Sequence, residues 1–383
     1  MLVHRARVLL PSATLAVDAL AKQLEEKGKP VINLTLGEPD FATPANIGKA
    51  AYKAIKEGFT HYTATAGILP LRNAIAEKLK KDNNVSYEPS EIIVGVGTKQ
   101  ILYNAFQVLI DEGMEVIIPT PTWSTYVEQV KLALGKPVLV PLKPPFKLKA
   151  QDIEPYINKK TKVIILNSPS NPTSAVIEKE ELVKIARLAI EKNIYIVSDE
   201  IYEKLIYEGT NYSIASLGNE IKDLTITING FSKSYAMTGW RIGYGAGPKE
   251  IIKAMTSFQG QTTSNTSSIA QMAAIEALYA TQQPLKKMKQ EFERRREYLI
   301  KEFSSIRGIT FTLPEGAFYF FVNIKKLLKK GETSSKWCER LLAKKYVAVV
   351  PGEAFCAQGY FRLSYAASMK NLKEGIRRIR EYI

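Results

Sequence analysis

From residue 161 to residue 200 the chain reads TKVIILNSPSNPTSAVIEKEELVKIARLAIEKNIYIVSDE. The β-branched run Val163 to Leu166 leads into a polar, proline-bearing loop and then an amphipathic stretch, Lys179 to Lys192, whose Leu182, Ile185, Ala186, Ala189 and Ile190 recur at helical spacing. A second short apolar run, Tyr195 to Val197, follows. Strand, helix, strand is the repeating pattern of a largely parallel sheet covered by helices. The rhythm continues outward: Ile92 to Val96, Val116 to Pro119, Val138 to Val140, Thr225 to Ile228 and Ile242 to Ala246 bring the runs to seven, and helices are expected at Lys99 to Ile110 and Ser124 to Ala133. In such a sheet ligands bind at the carboxyl ends of the strands. The residues just after each run are therefore the candidates for chemistry.

Past Pro284 the pattern changes. LKKMKQEFERRREYLIKEF reads as a long polar helix, and the runs Ala317 to Val322, Val347 to Val350 and Phe361 to Tyr365, with a helix near Ser335 to Lys344, suggest a small α+β unit. The first 45 residues carry one helix near Ala16 to Lys27 and no sheet of their own, so they are expected to pack on that unit. A chain of 383 residues exceeds the size, about 250 to 300, at which one core stops growing. The expectation is an α/β fold in two domains. Residues 46–283 form a large domain whose mostly parallel seven-stranded sheet lies between helices, and residues 1–45 and 284–383 form a smaller α+β domain.

Composition removes several function classes. With only His4 and His61, a histidine-based triad or a three-histidine zinc site has almost nothing to draw on. Cys338 and Cys356 match neither a CxxC pair nor a zinc knuckle, so no metal is expected and a reducing, cytoplasmic setting fits best. The net charge is +15, and 22 Lys and Arg against 10 Glu fall between Pro284 and Ile383. These occur as doublets without interleaved aromatics, the pattern of solvated helix faces and not of a nucleic-acid platform. No uncharged apolar run approaches about 18 residues, so no membrane span is expected.

Five strand ends carry the chemistry. After Thr225 to Ile228 comes Asn229-Gly230-Phe231-Ser232-Lys233-Ser234, with Arg241 eight residues beyond the lysine. An amine partly buried beside another cation loses its proton readily and can attack a carbonyl, and an arginine fork suits a phosphate. Asp199 ends the fifth run with Tyr202 three residues on, although a turn or helix cap also accounts for an Asp there. Asn167-Ser168-Pro169-Ser170-Asn171-Pro172 is a stiff loop that aims Asn171 at the same crevice. Gly95-Val96-Gly97-Thr98-Lys99 opens a helix whose first amides form an anion site, without the third glycine of a dinucleotide fingerprint. Trp123 follows the second run, as a core residue or as an aromatic plate. A nucleophilic amine, a phosphate cradle, a carboxylate and an aromatic plate together suit pyridoxal 5′-phosphate.

The segments SPSNPT, SDEIYE and SKSYAMTGWRIG resemble those of the class I/II pyridoxal-phosphate aminotransferases, fold type I, and with PSAT, GEPDF, GTKQ, VVPG and FRLSYA the chain is most similar to aspartate aminotransferases of bacterial and archaeal type. The likeness runs from about Pro11 to the end. It implies a transaminase that moves the amino group of an L-amino acid, aspartate favoured, to 2-oxoglutarate by a ping-pong mechanism. Lys233 would carry the cofactor as a Schiff base and shuttle the proton. Asp199 would pair with the ring nitrogen, Asn171 and Tyr202 would bond the ring hydroxyl oxygen, and Trp123 would stack. Arg241, Ser232 and the amides at Thr98 and Lys99 would hold the phosphate, with Tyr62 reaching it from the other subunit of a homodimer. Arg362 would clamp the α-carboxylate under the backbone of Gly37, with Trp123 and Asn171 beside the substrate.

No arginine stands where some relatives recognise a distal carboxylate. The archaeal-type pattern places Lys99, Ser12 and Thr14 there instead. Alternatives share the scaffold: a carbon-sulfur lyase, an aminocyclopropane-carboxylate-synthase-like enzyme, or a transaminase for aromatic donors or alanine. A cofactor-less basic binding protein has only the charged tail in its favour.

Overall fold

The structure is a computed structural model that describes residue 9 and residues 13–383, with side chains at residue 9 and from residue 16 onward. All seven expected runs are strands of one sheet: β1 (Ile92–Gly95), β2 (Glu115–Thr120), β3 (Lys136–Pro141), β4 (Thr161–Asn167), β5 (Tyr195–Asp199), β6 (Thr225–Gly230) and β7 (Gly243–Ala246). The spatial order is β1-β7-β6-β5-β4-β2-β3. Only β7 is antiparallel, to β1 on one side and β6 on the other, so the remaining six strands all point the same way. Their carboxyl ends share one edge, and the chain enters β7 from that edge.

Strands buried on both faces alternate between two cores. Val163 and Ile165 of β4 pack with Val197, Ile226 and Ile228 under the helices Thr98–Leu109 and Lys249–Thr262. Ile164, Leu166 and Ile196 face the other way, onto Leu182, Ile185 and Ala189 of the helix Lys179–Lys192. Near β1 and β7 the same face is covered by the helices Ala45–Lys56, Leu69–Asn83 and Ser268–Tyr279.

The long helix Gln283–Ser304 crosses a four-stranded antiparallel sheet ordered Val350–Pro351, Tyr360–Ser364, Tyr319–Asn323, Thr310–Phe311. Its Phe292, Leu299 and Phe303 enter an aromatic core with Phe318, Phe320 and Tyr365. Three details differ from the sequence expectation, the first being the strand Thr310–Phe311 at the edge of the small sheet. The run Val347 to Val350 divides, Val347–Ala348 and Val350–Pro351 belonging to different sheets, and the N-terminal segment does contribute a strand, Ile32–Asn33, parallel to Val347–Ala348. A two-residue strand is too short to register as a periodic signal. Both cysteines are free thiols, Cys338 buried and Cys356 exposed. Among the described residues no helix is long and apolar enough to cross a membrane, and no cluster of three or more His, Cys, Asp and Glu suited to a metal ion occurs.

Candidate active site

The strand ends open into a cleft of about 440 Å³. Lys99, Trp123, Asn171, Asp199, Tyr202, Ser232, Lys233, Arg241, Thr98, Gly37 and Arg362 all line it, from seven different segments of the chain. Tyr62 does not. It stands 92% exposed outside the cleft. Ser12 lies outside the described residues, as do His4 and the Thr14 side chain; His61 is exposed.

Asp199, the last residue of β5, is fully buried. Burial pushes its carboxyl up to about 6, while hydrogen bonds from the Tyr126 hydroxyl to Oδ2 (2.7 Å) and from the Ile201 amide to Oδ1 (3.2 Å) oppose the shift. Tyr126 was not singled out from the sequence. Its signal was present, since Trp123 and Tyr126 stand three apart at the start of the helix Ser124–Leu132, and their rings meet edge to face at 5.4 Å.

Lys233 leaves β6 three residues past the strand and donates to the Gly37 carbonyl. Removal from water lowers its ammonium to about 8; Glu38 opposes this shift and the charges of Arg362 and Arg241 assist it. A usable fraction of free amine near neutral pH is what a nucleophile or base at this position needs.

Arg362 is 2% exposed at the centre of the strand Tyr360–Ser364. Nη1 donates to Asn171 Oδ1 at 2.9 Å and Nη2 to the Thr35 carbonyl at 2.6 Å. Its plane lies over the Tyr319 ring at 4.4 Å and the Phe355 ring at 4.9 Å. Nε is buried and unpartnered, and among the described residues no carboxylate pairs with this guanidinium. A buried charge without a counterion is costly, so the cleft is built to receive an anion there. Tyr319 also meets Tyr202, hydroxyl to hydroxyl at 2.7 Å. Thr35 and Tyr319 were both missed, because Tyr319 sits in an apolar run that reads as strand and Thr35 contributes only its backbone.

Elsewhere in the cleft a helix start, an arginine and a serine come together, a set suited to an anion. The helix Thr98–Leu109 begins at Gly97, with φ +75°, and a Cβ on Gly97 would stand 2.7 Å from Arg241 Nη2. A Cβ on Gly243 would stand 2.6 Å from the Thr98 amide, so glycine lets the helix end approach the sheet. The Thr98 and Lys99 amides find no protein acceptor among the described residues, as expected of a helix start that binds an anion. Arg241 is fixed by Nη1 to the Thr238 carbonyl at 2.9 Å and has no acidic partner among the described residues. Buried Ser232 closes the floor. The Lys99 ammonium stands 4.9 Å over the Trp123 ring, and the pocket wall together with Arg241 lowers its pKa. Arg241, two free amides, Lys233 and Asp199 within one cleft fit a phosphorylated pyridine aldehyde.

Comparison with known proteins agrees. The family described as aminotransferase class I and II matches residues 29–379. The aspartate aminotransferase of Bacillus sp. (strain YM-2) is 46% identical, over 100% of this chain and 99% of its own length. A protein of Aquifex aeolicus described as a probable aspartate/prephenate aminotransferase is 48% identical over 99% and 98%. Among solved structures, the Thermus thermophilus aspartate aminotransferase with maleate superposes with a TM-score of 0.96 at 42% identity, over the whole of both chains. The chain belongs to the class I and II aminotransferases, pyridoxal phosphate-dependent enzymes of fold type I.

Proposed function

We propose that this transaminase takes aspartate as its amino donor and 2-oxoglutarate as acceptor in a ping-pong cycle, within cytoplasmic homodimers. The observation that carries a carboxylate-bearing substrate is the buried Arg362 guanidinium, which has no counterion among the described residues and shares a cleft with Lys233. Relatives named for aspartate at 46 to 48% identity support the donor.

Bound in the cleft, pyridoxal phosphate supplies an electron sink for bond-breaking at the amino acid's Cα. Arg241, Ser232 and the amides of Thr98 and Lys99 would hold its phosphate, and Trp123 would cover its ring. Asp199, ionised above about pH 6, would keep the ring nitrogen protonated. Tyr202 and the Asn171 amide would hydrogen-bond the ring oxygen. Asn171 has its Oδ1 engaged by Arg362, which leaves Nδ2 to donate. Arg362 would grip the α-carboxylate with two parallel bonds, beneath Gly37. Lys233 Nζ then takes the Cα proton, with a pKa near 8 that lets it both accept and return a proton around neutral pH. Lys99, beside Trp123, would meet the distal carboxylate with Ser12 and Thr14.

The two-domain division at 45/46 and 283/284 belongs to the same proposal, supported by the two connections lying side by side, where Pro44, Asn46, Gln282 and Pro284 line one pocket apart from the cleft. Self-association is supported by exposed apolar side chains on two helices that pack on each other, Tyr52 and Ile55 on Ala45–Lys56 and Tyr279 on Ser268–Tyr279, and by the exposed Tyr62. The test is a panel of amino donors with 2-oxoglutarate: aspartate should be used most efficiently, and a protein that released ammonia or a thiol without an oxo acceptor would be a lyase instead.

A further inference from the structure

The turn that leaves β5 carries two pairs of side chains, each spaced three residues apart. Asp199 and Tyr202 face the cleft. Glu200 and Glu203, each the next residue along, face away from it, toward the helix Leu69–Asn83. These two acids take no part in the chemistry described above, yet both are buried: Glu200 is 2% exposed, and the Glu203 side chain 7%.

Their side-chain partners come from three elements: β5 itself, the loop after it and the helix Leu69–Asn83. Glu200 Oε1 accepts from the hydroxyls of Ser198 (3.0 Å) and Ser213 (2.8 Å). The Asn83 amide spans both acids, reaching Glu200 Oε2 at 3.2 Å and Glu203 Oε2 at 2.6 Å. Lys78 pairs with Glu203 and donates to Asn83 Oδ1 at 2.6 Å. The backbone closes the same unit, with the Glu200 amide on the Ile228 carbonyl and the Glu203 amide on the Glu200 carbonyl, both at 2.9 Å.

We propose that Glu200 and Glu203, bridged by Asn83 and countered by Lys78, are positioning residues that fix the direction of Asp199 and Tyr202. Two adjoining buried acids with one lysine cost more than an apolar filling of the same volume, so the network is weak as a source of stability and strong as a source of geometry. It ties the β5 exit to a serine on the strand, a serine on the loop after it and the end of a helix, three anchors that an apolar contact would not place to within a few tenths of an ångström. The titratable groups facing Glu200 are Glu203 in the same turn, Lys78 on the helix, Tyr87 in the segment before β1 and Tyr244 on β7. Burial and then the neighbouring Glu203 push the Glu200 carboxyl up to about 7, so a neutral side chain of the same shape is a fair replacement there.

The inference rests on Asp199 and Tyr202 being cofactor ligands. The experiment compares holoenzymes of Glu200→Leu, Glu200→Gln, Asn83→Ala and Asp199→Asn with the parent, measuring the pH midpoint of the cofactor's absorption band together with kcat and KM. Loss of aim at Asp199 predicts that Glu200→Leu moves the midpoint by about one pH unit and lowers kcat about ten- to a hundredfold, with KM within about threefold, as a displacement near 1 Å does. Glu200→Gln should stay within about threefold of the parent. A folded Glu200→Leu enzyme with the parent's midpoint and kcat, altered only in melting temperature, would overturn the proposal. Should that variant not fold, Asn83→Ala carries the same expectation and the same refutation. An Asp199→Asn enzyme with an unchanged spectrum would instead refute the role of Asp199 itself, a distinct result.

Discussion

The Tyr126 hydroxyl donates to Asp199 Oδ2 at 2.7 Å, across 73 residues of sequence and inside a site where neither group reaches water. Among the described residues it is one of two hydrogen bonds that favour the ionised carboxylate against its burial. Replacing Tyr126 by Phe leaves the ring and its packing while removing a bond that lowers the Asp199 pKa. The carboxyl should rise by about one unit, the equivalent of a hydrogen bond to a charged group. Because the ionised form is the active one, activity is lost as pH falls through this pKa, and the acidic limb of the kcat profile should move toward neutral pH. A limb at the parent's position would show that Tyr126 does not bear on Asp199.

Lys233→Ala should still bind pyridoxal phosphate through Arg241 and the Thr98 and Lys99 amides, but transamination should fall by several orders of magnitude, roughly the share of a nucleophile and proton-transfer group. Borohydride reduction and peptide mapping of the parent should find the cofactor on Lys233. A label on another lysine would contradict the assignment.

Arg362→Lys keeps a charge but loses the planar fork, and a single ammonium nitrogen cannot give a carboxylate two parallel bonds while also reaching Asn171 and the Thr35 carbonyl. The amino-acid KM should rise strongly, by about two decades, with cofactor affinity unchanged. Steady-state kinetics with aspartate and a cofactor titration separate the two effects.

Lys99→Met should lower kcat/KM for aspartate and glutamate by about one to two decades, the worth of a charge-assisted hydrogen bond of about 1.5 to 3 kcal/mol, and leave alanine and phenylalanine nearly unchanged. An equal loss for all donors would assign Lys99 to the phosphate cradle alone.

Tyr62 bears on assembly. If its hydroxyl serves the partner's phosphate site, sedimentation should give a dimer and Tyr62→Phe should weaken cofactor retention without dissociating it. A fully active monomer would exclude the shared site.

Periodicity within short windows made the fold legible: each strand of the large sheet lies within a residue or two of a short apolar run, and the inner strands β2, β4, β5 and β6 read as such runs because they are buried on both faces. The same windows located Lys233, Asp199, Asn171 and Arg241, since strand ends are local features and ligands gather there. Arg362 and Tyr62 were legible only through resemblance to a family, and no property of their neighbours in sequence marks them.

Tertiary structure alone decided who touches whom. The pairing of Tyr202 with Tyr319 spans 117 residues, that of Arg362 with Thr35 spans 327, and Glu200 meets Asn83 across 117. Such contacts follow from how the small sheet and the helices settle on the large one, and hydrophobic pattern, which fixes the face a side chain takes, carries no information about which distant polar group will share that face. The sequence by itself therefore determined the elements and the chemistry-bearing residue types, whereas packing decided that Arg362 would be buried with no counterion among the described residues and that Asp199 would be aimed from behind by an acid pair.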